Sequence, residues 1–428
     1  MEIKTISAGF FKNTLLKNGV WNLAGYILPT LIAIPSLGYI ARVLGVEQFG
    51  LFTLSMAIVG YASIFDGGIS RATIREIAIH NENENEKLKI ISCSTISVFM
   101  LSIAGSLLLY LFSGYSGTLL NISSYLQGEF NSSIKLLVIA LPLMLVNQVW
   151  LAILAGEEKF KLLTLQKTIS NTLLTGLPAV LVFYGHSLYF AVMGLLLGRM
   201  GALIVSFFAS KRLIILAGLC FDREVLGRLF SIGGWITVSN IVSPIMSYFD
   251  RFFLSNQIGA QFVAYYTAPS EGIARATIIP NALATALFPR VSSEKKTEHK
   301  KSIVRLSYFI MLMCVVPISL FVFIFSEKIM TVWMGSDFGD TSSTILRILI
   351  IGYIFNSLAQ IPFATIQASG KARITAMLHL IELVPYLLLM IIAVKYFGIT
   401  GAAIVWSSRM IVDFFLLFML NNRVINNK

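Results

Sequence analysis

At 428 residues, with 56% hydrophobic and only 13% charged side chains and a mean hydropathy of +0.80, the chain lacks the polar groups that cover a soluble domain. The net charge of +12 comes from Lys and Arg that border apolar stretches, where anionic lipid headgroups account for them and no nucleic-acid partner is needed. Cys93, Cys220 and Cys314 have no metal-ligand spacing and read as structural thiols; the four histidines are dispersed, so no metal site is expected.

Twelve apolar stretches, each long enough to cross a ~30 Å hydrocarbon core, fill almost the whole sequence. They run Val20 to Ala41, Gly50 to Ser70, Ile90 to Phe112, Ile134 to Ala155, Thr168 to Tyr184 and Leu188 to Ala209. After a basic connector come Leu229 to Leu254, Phe262 to Leu287, Leu306 to Phe325, Ile345 to Ala368, Ala376 to Val394 and Thr400 to Leu420. The first span is too long for a signal-peptide core and is expected to stay as the first helix. The expected fold is therefore all-α and polytopic, with no room for a separate soluble domain.

Lys and Arg set the orientation, because cytoplasmic loops retain an excess of positive charge. Of the 33, 24 lie in the terminal segments and every second connector, 5 in the alternate connectors and their flanks, and 4 inside spans. Both termini are predicted to be cytoplasmic.

The sequence also repeats. Gly19, Trp21, Gly45, Thr53 and Gly156 recur 214 positions later as Gly233, Trp235, Gly259, Thr267 and Gly370, and Arg199-Met200 recurs 210 positions later as Arg409-Met410. Two parallel six-helix halves around a central cavity are expected, residues 1–210 and 229–428, with 211–228 as a connector on the inner face; this is a known transporter plan. Trp21 and Trp235 read as interface anchors. All eleven prolines lie within or at the ends of spans, where each removes a backbone hydrogen bond and kinks its helix.

The segment Ala41 to Ala78 carries Arg42-x-Leu44-Gly45-x-x-x-Phe49-Gly50, then Asp66-x-Gly68, Arg71 and Arg75, and the seventh span carries Asp250-Arg251. These pieces resemble the Wzx-type O-antigen and polysaccharide flippases of the multidrug/oligosaccharidyl-lipid/polysaccharide (MOP) exporter superfamily. The resemblance implies movement of an undecaprenyl-pyrophosphate-linked oligosaccharide from the inner to the outer leaflet of a bacterial inner membrane. It also implies work beside a polysaccharide polymerase and chain-length proteins. No cofactor is expected, although coupling to a proton or sodium gradient is compatible with the chain. The first span has no arginine, unlike the related lipid II flippases, so their sites are not carried over.

An ionised side chain at a helix centre costs about 2.5 to 3.5 kcal/mol on insertion scales and so tends to pair or face a cavity. Arg199, mid-way along the sixth span, has Leu195, Leu196, Ala202 and Leu203 three and four positions away and no acid on its own face. Its guanidinium suits a pyrophosphate or an acidic sugar, and a structural partner on another helix is the competing reading. Arg409 with Asp413, and Arg275 with Glu271, stand four apart and can neutralise one another. Adjacent Asp250 and Arg251 point in different directions, so at least one of them is expected to meet the cavity. Arg199, Arg409, Arg251 and Arg275 are the substrate-binding candidates. Asp66, Asp250, Glu271, Glu382 and Asp413 are the candidates for holding a proton or Na⁺.

An O-antigen polymerase would want a sizeable outward loop, whereas Ser113 to Ser133 is the longest here; a glycosyltransferase would want an inner Asp-x-Asp motif, which is absent. No Gly-x-x-x-x-Gly-Lys-Ser/Thr loop supports ATP use. A drug or cation antiporter on the same fold would favour acids and aromatics, and four in-span arginines fit an anionic cargo better.

Overall fold

The computed structural model describes residues 2–294 and 296–426, without the side chains of 2–27, 232–240, 243, 286, 289, 293, 372 and 426. Side-chain expectations for Trp21 and Trp235 fall outside the described residues. The described residues are helical throughout, with no strand, because a backbone in lipid must satisfy its own hydrogen bonds.

The helices are α1 (Glu2–Ala62), α2 (Ile69–Ile79), α3 (Glu84–Ser113), α4 (Ser116–Leu119), α5 (Ser124–Gly156), α6 (Phe160–Gly185) and α7 (Leu188–Ala217). There follow α8 (Arg223–Ile258), α9 (Ala260–Ala276), α10 (Ile278–Ser293), α11 (Thr297–Ile324), α12 (Ser326–Met334), α13 (Gly339–Ala368) and α14 (Ala372–Asn426). Eight described segments are long and apolar enough to cross a membrane. Two of the helices are double: α1 breaks at Gly45 (φ 74°) and α14 at Gly398 (φ 56°), left-handed positions that glycine adopts without a Cβ penalty. With α8 and the α9–α10 pair in the remaining places, the order follows the twelve expected spans.

The chain forms two compact units, residues 1–249 and 250–428, and the boundary falls inside α8. In the first unit α7 packs on α6, α5, α3 and α1; in the second, α13 packs on α14, α11, α10 and α9. Large apolar side chains such as Leu107, Phe208, Leu388 and Phe397 point outward, while Ser94, Ser102, Ser206, Ser342 and Ser357 are buried between helices. Small polar residues at helix contacts and apolar ones outside are what lipid demands. Ser106 Oγ donates across to Val138 O (2.9 Å), and Ser407 Oγ to Ile348 O (2.8 Å).

Proline 280 explains the break between α9 and α10. Having no N–H, it cannot donate to the carbonyl of Ala276 four residues earlier. The hydroxyl of Tyr353, fully buried on α13, donates to that carbonyl at 2.9 Å instead. Tyr353→Phe should strip the carbonyl of its donor and cost about 1–3 kcal/mol, read as a lower thermal unfolding midpoint in detergent. An unchanged midpoint would mean the carbonyl finds another donor at no cost.

The connector between α7 and α8 is shorter than expected, only residues 218–222, because α7 runs on to Ala217 and α8 starts at Arg223. It is pinned to α3. Ser92 Oγ lies within hydrogen-bonding distance of Gly218 O (3.1 Å) and Cys220 O (2.9 Å). Lys89 Nζ lies 3.0 Å from Asp222 and, with the amides of Val225 and Glu224, holds that carboxyl below its usual range. Arg228 on α8 pairs with buried Glu76 (3.1 Å), Glu86 and Glu224. The opposite end of this unit is capped by side chains instead. Glu47, two residues after Gly45, accepts from Ser123 N (3.0 Å) and Tyr125 Oη (3.1 Å) at the start of α5. Gln48 accepts from Leu188 N (3.1 Å) and Glu129 from Tyr189 N (2.9 Å) at the start of α7, satisfying amides that a helix leaves open.

Candidate functional site

Arg199 is positioned by a seam of glycines on α7. A Cβ on Gly194 would lie 2.4 Å from Pro178 Cα, and one on Gly198 would lie 3.1 Å from Leu174 Cα, so α6 and α7 approach backbone to backbone. That contact fixes the rotation of α7 and turns Arg199 toward Tyr248 of α8, within electrostatic reach. The Tyr248 ring lies over Gly60, where a Cβ would come within 2.3 Å of it, and 6.0 Å from the ring of Tyr61. Arg199 is half-buried and makes no hydrogen bond or ion pair among the described residues.

On the same face of α7, one and two turns further, the polarity continues. Gln166 Nε2 lies within hydrogen-bonding distance of Ser206 Oγ (2.6 Å), Ser170 Oγ (2.8 Å) and Ala202 O (3.3 Å), and Ser206 Oγ donates to Asn147 Oδ1 (2.5 Å). These four side chains are buried. They carry no charge, so nothing in this network neutralises Arg199.

The second unit treats its arginines differently. Each carboxylate oxygen of Glu271 holds one guanidinium, Arg251 at 3.0 Å and Arg275 at 3.2 Å. Asp250 accepts from Tyr266 Oη at 2.5 Å and from the Arg251 amide at 2.8 Å. Both members of the Asp250-Arg251 pair therefore have protein partners within the second unit. The Arg275–Glu271 pair forms at the expected spacing.

Arg409 does not pair with Asp413. Its Nε lies 3.6 Å from Glu382 Oε2, and its guanidinium lies 5.3 Å from the centre of the Tyr386 ring. Asp413 faces His379 at 3.5 Å. The helix-face rule compared residues along one helix, whereas the partners come from the other arm of α14. The missed signal was the turn: Glu382 and Asp413, like Tyr386 and Arg409, stand at nearly equal distances on either side of Gly398. His379, stacked on Phe363 at 5.7 Å, was also missed, because its isolation in sequence hid two acidic neighbours.

Asp66 ends a 3₁₀ turn, followed by Gly67 (φ 58°) and Gly68 (φ 71°). Its carboxylate accepts from the amide (3.3 Å) and hydroxyl (2.5 Å) of Ser70, at the start of α2. The Asp66-x-Gly68 motif is thus a turn and a helix cap.

A sequence profile described as "Polysaccharide biosynthesis protein" matches residues 15–295, and that of MatE matches residues 236–392. The "Putative O-antigen transporter" of Shigella flexneri is 46% identical over 96% of this chain and 98% of its own length. The chain belongs to the polysaccharide biosynthesis protein family, as a Wzx-type member of the MOP superfamily. Another relative, the "Probable low-salt glycan biosynthesis flippase Agl15" of Haloferax volcanii, is 26% identical over 86% of this chain and 75% of its own. Among solved structures, an inward-facing multidrug resistance MATE family transporter of the MOP superfamily superposes with a TM-score of 0.72 at 18% identity, covering 95% of each chain. A MOP superfamily transporter from Pyrococcus furiosus gives 0.67 at 16% identity, over 96% of this chain and 95% of that one. These structures show that this Wzx-type protein has the MOP fold. Of the four candidate arginines, Arg199 alone has no carboxylate partner among the described residues.

Proposed function

We propose that this protein is a flippase that carries an undecaprenyl-pyrophosphate-linked oligosaccharide, an O-antigen or other surface polysaccharide unit, from the cytoplasmic to the outer leaflet by alternating access. The observation that carries the reading is Arg199, an in-span guanidinium with no carboxylate against it among the described residues. A cation held without a counter-charge in an apolar helix is matched by an anionic ligand, and its planar fork suits phosphate oxygens. The relatives named as an O-antigen transporter and a glycan flippase support the same cargo class. Arg251, Arg275 and Arg409 contribute by exchanging a protein carboxylate for substrate. Coupling to an ion gradient is assigned to the acids of the second unit.

The deciding experiment deletes the gene and follows the lipid-linked sugars. A single undecaprenyl-linked unit should accumulate on the cytoplasmic face. Units exported but left unpolymerised would instead identify a polymerase.

The protein is assigned to the bacterial inner membrane with both termini cytoplasmic, on the distribution of Lys and Arg. Reporters fused after Lys89, Lys167, Arg223 and Lys296 should read cytoplasmic, and those near Ser124 and Gly339 periplasmic. A cytoplasmic reading at either of the last two sites would mean that the span count is off by one.

A further inference from the structure

At Gly398, α14 folds back on itself, and its two arms present His379, Glu382 and Tyr386 opposite Arg409 and Asp413. The imidazole and the two carboxylates bring one donor atom each within 4.8 Å of one another. The Glu382 side chain is only 9% exposed. Both its oxygens, and Oδ1 of Asp413, are sealed from solvent and accept no hydrogen bond among the described residues. Two buried carboxylates brought this close repel unless a cation comes between them.

Charge decides which cation. With His379 neutral, the cluster holds two carboxylates and one guanidinium, one net negative charge in an apolar bundle. One added proton closes it as two ion pairs, His379 with Asp413 and Arg409 with Glu382. A divalent metal would leave net positive charge, and a hard alkali ion would find one of its three donors to be an imidazole nitrogen, a ligand suited to protons and softer metals.

We propose that the His379–Glu382–Asp413 cluster binds one proton, with Arg409 as its fixed counter-charge, and that this is the coupling site of the second unit. The proposal rests on the transport reading above and names the ion that drives it. The proton enters on the imidazole or a carboxylate and leaves to water, and nothing is oxidised or reduced.

Tyr386 is within electrostatic reach of Tyr266, whose hydroxyl donates to Asp250. At about 1.5 Å per residue, His379 and Tyr386 stand roughly 10 Å apart along α14, about a third of a ~30 Å hydrocarbon core. Other ionisable groups lie on the helices packed against α14: Tyr265 on α9, Cys314 on α11 and, on α13, Tyr353, whose hydroxyl donates to Ala276 O. On α9, Glu271 and Arg275 pair with each other. On α11, Tyr308 packs its ring on Phe414 and Phe418, and Glu298, His299, Lys300, Lys301 and Arg305 occupy its first turns. On α13, Asp340 and Arg347 lie in the opening turns, with Arg347 donating to Ser326.

Two measurements test this on the full-length protein in vesicles. The first treats wild-type protein with dicyclohexylcarbodiimide, which attacks protonated carboxyls in apolar settings, and maps the product by mass. Labelling at Glu382 or Asp413 should rise as pH falls and ignore sodium; protection by sodium, or no labelling at any pH, overturns the proposal. The second follows proton uptake with an internal pH dye under an imposed membrane potential. Glu382→Gln and Asp413→Asn should fall to the level of protein-free vesicles, and uptake equal to wild type in both overturns the proposal. Flipping is scored in the same vesicles. Flipping indifferent to a pH gradient overturns the coupling alone, whereas wild-type protein that flips nothing at any pH counts against the transport reading.

Discussion

Arg199→Ala should abolish surface polysaccharide while leaving the protein at normal abundance in the membrane. Charge-assisted hydrogen bonds to an anion are worth roughly 1.5–3 kcal/mol, so transport should fall roughly ten- to hundredfold. Folding should not suffer, because removal of Arg199 strands no carboxylate among the described residues. Arg199→Lys should restore part of the activity, since the charge returns without the planar fork. The assay is surface polysaccharide against immunoblotted protein in a deletion strain. Wild-type polysaccharide from the alanine variant would remove Arg199 from the site, and loss of the protein itself would make the arginine structural.

Glu271→Ala should have the reverse signature. One buried carboxylate holds two guanidiniums, and the Arg251 side chain is only 9% exposed. Breaking a buried ion pair by removing one partner costs about 3–5 kcal/mol, because the remaining charge has nowhere to go. The variant should therefore be scarce in membranes and unfold well below wild type in detergent. Glu271→Asp, which keeps the charge on a shorter stem, should recover part of the loss. A Glu271→Ala protein that melts like wild type would mean that substrate or water already neutralises these arginines.

The twelve spans could be read from sequence because lipid allows one backbone solution and writes it as long apolar runs. The gaps between the expected spans at 42–49 and 395–399 hold Gly45 and Gly398, at which α1 and α14 break. Sequence did not show that Asp66 caps a helix: in an apolar context a carboxylate looks the same whether it meets an ion or the amide of Ser70. Partners across helices were the main loss. Same-helix spacing found Arg275–Glu271 but assigned Arg409 to Asp413, because spacing along a chain does not encode which arm of a hairpin a side chain faces. Arg199 was singled out by what its own face lacked, and the described residues of the surrounding helices supply no carboxylate either.

The turn after Gly45 also sets a timetable for synthesis. Glu47 emerges 76 residues before the serine it caps, and Gln48 precedes its partner Leu188 by 140. At about 5–20 residues per second, the first two spans wait several seconds for α5 and longer again for α7. Until then the carboxylate and the amide at their far end have only water or headgroups as company. The first unit can thus thread its helices one by one, but it acquires its final capped end only when the sixth span arrives. Chains truncated before α7 should reach the membrane yet remain open to proteases at that turn.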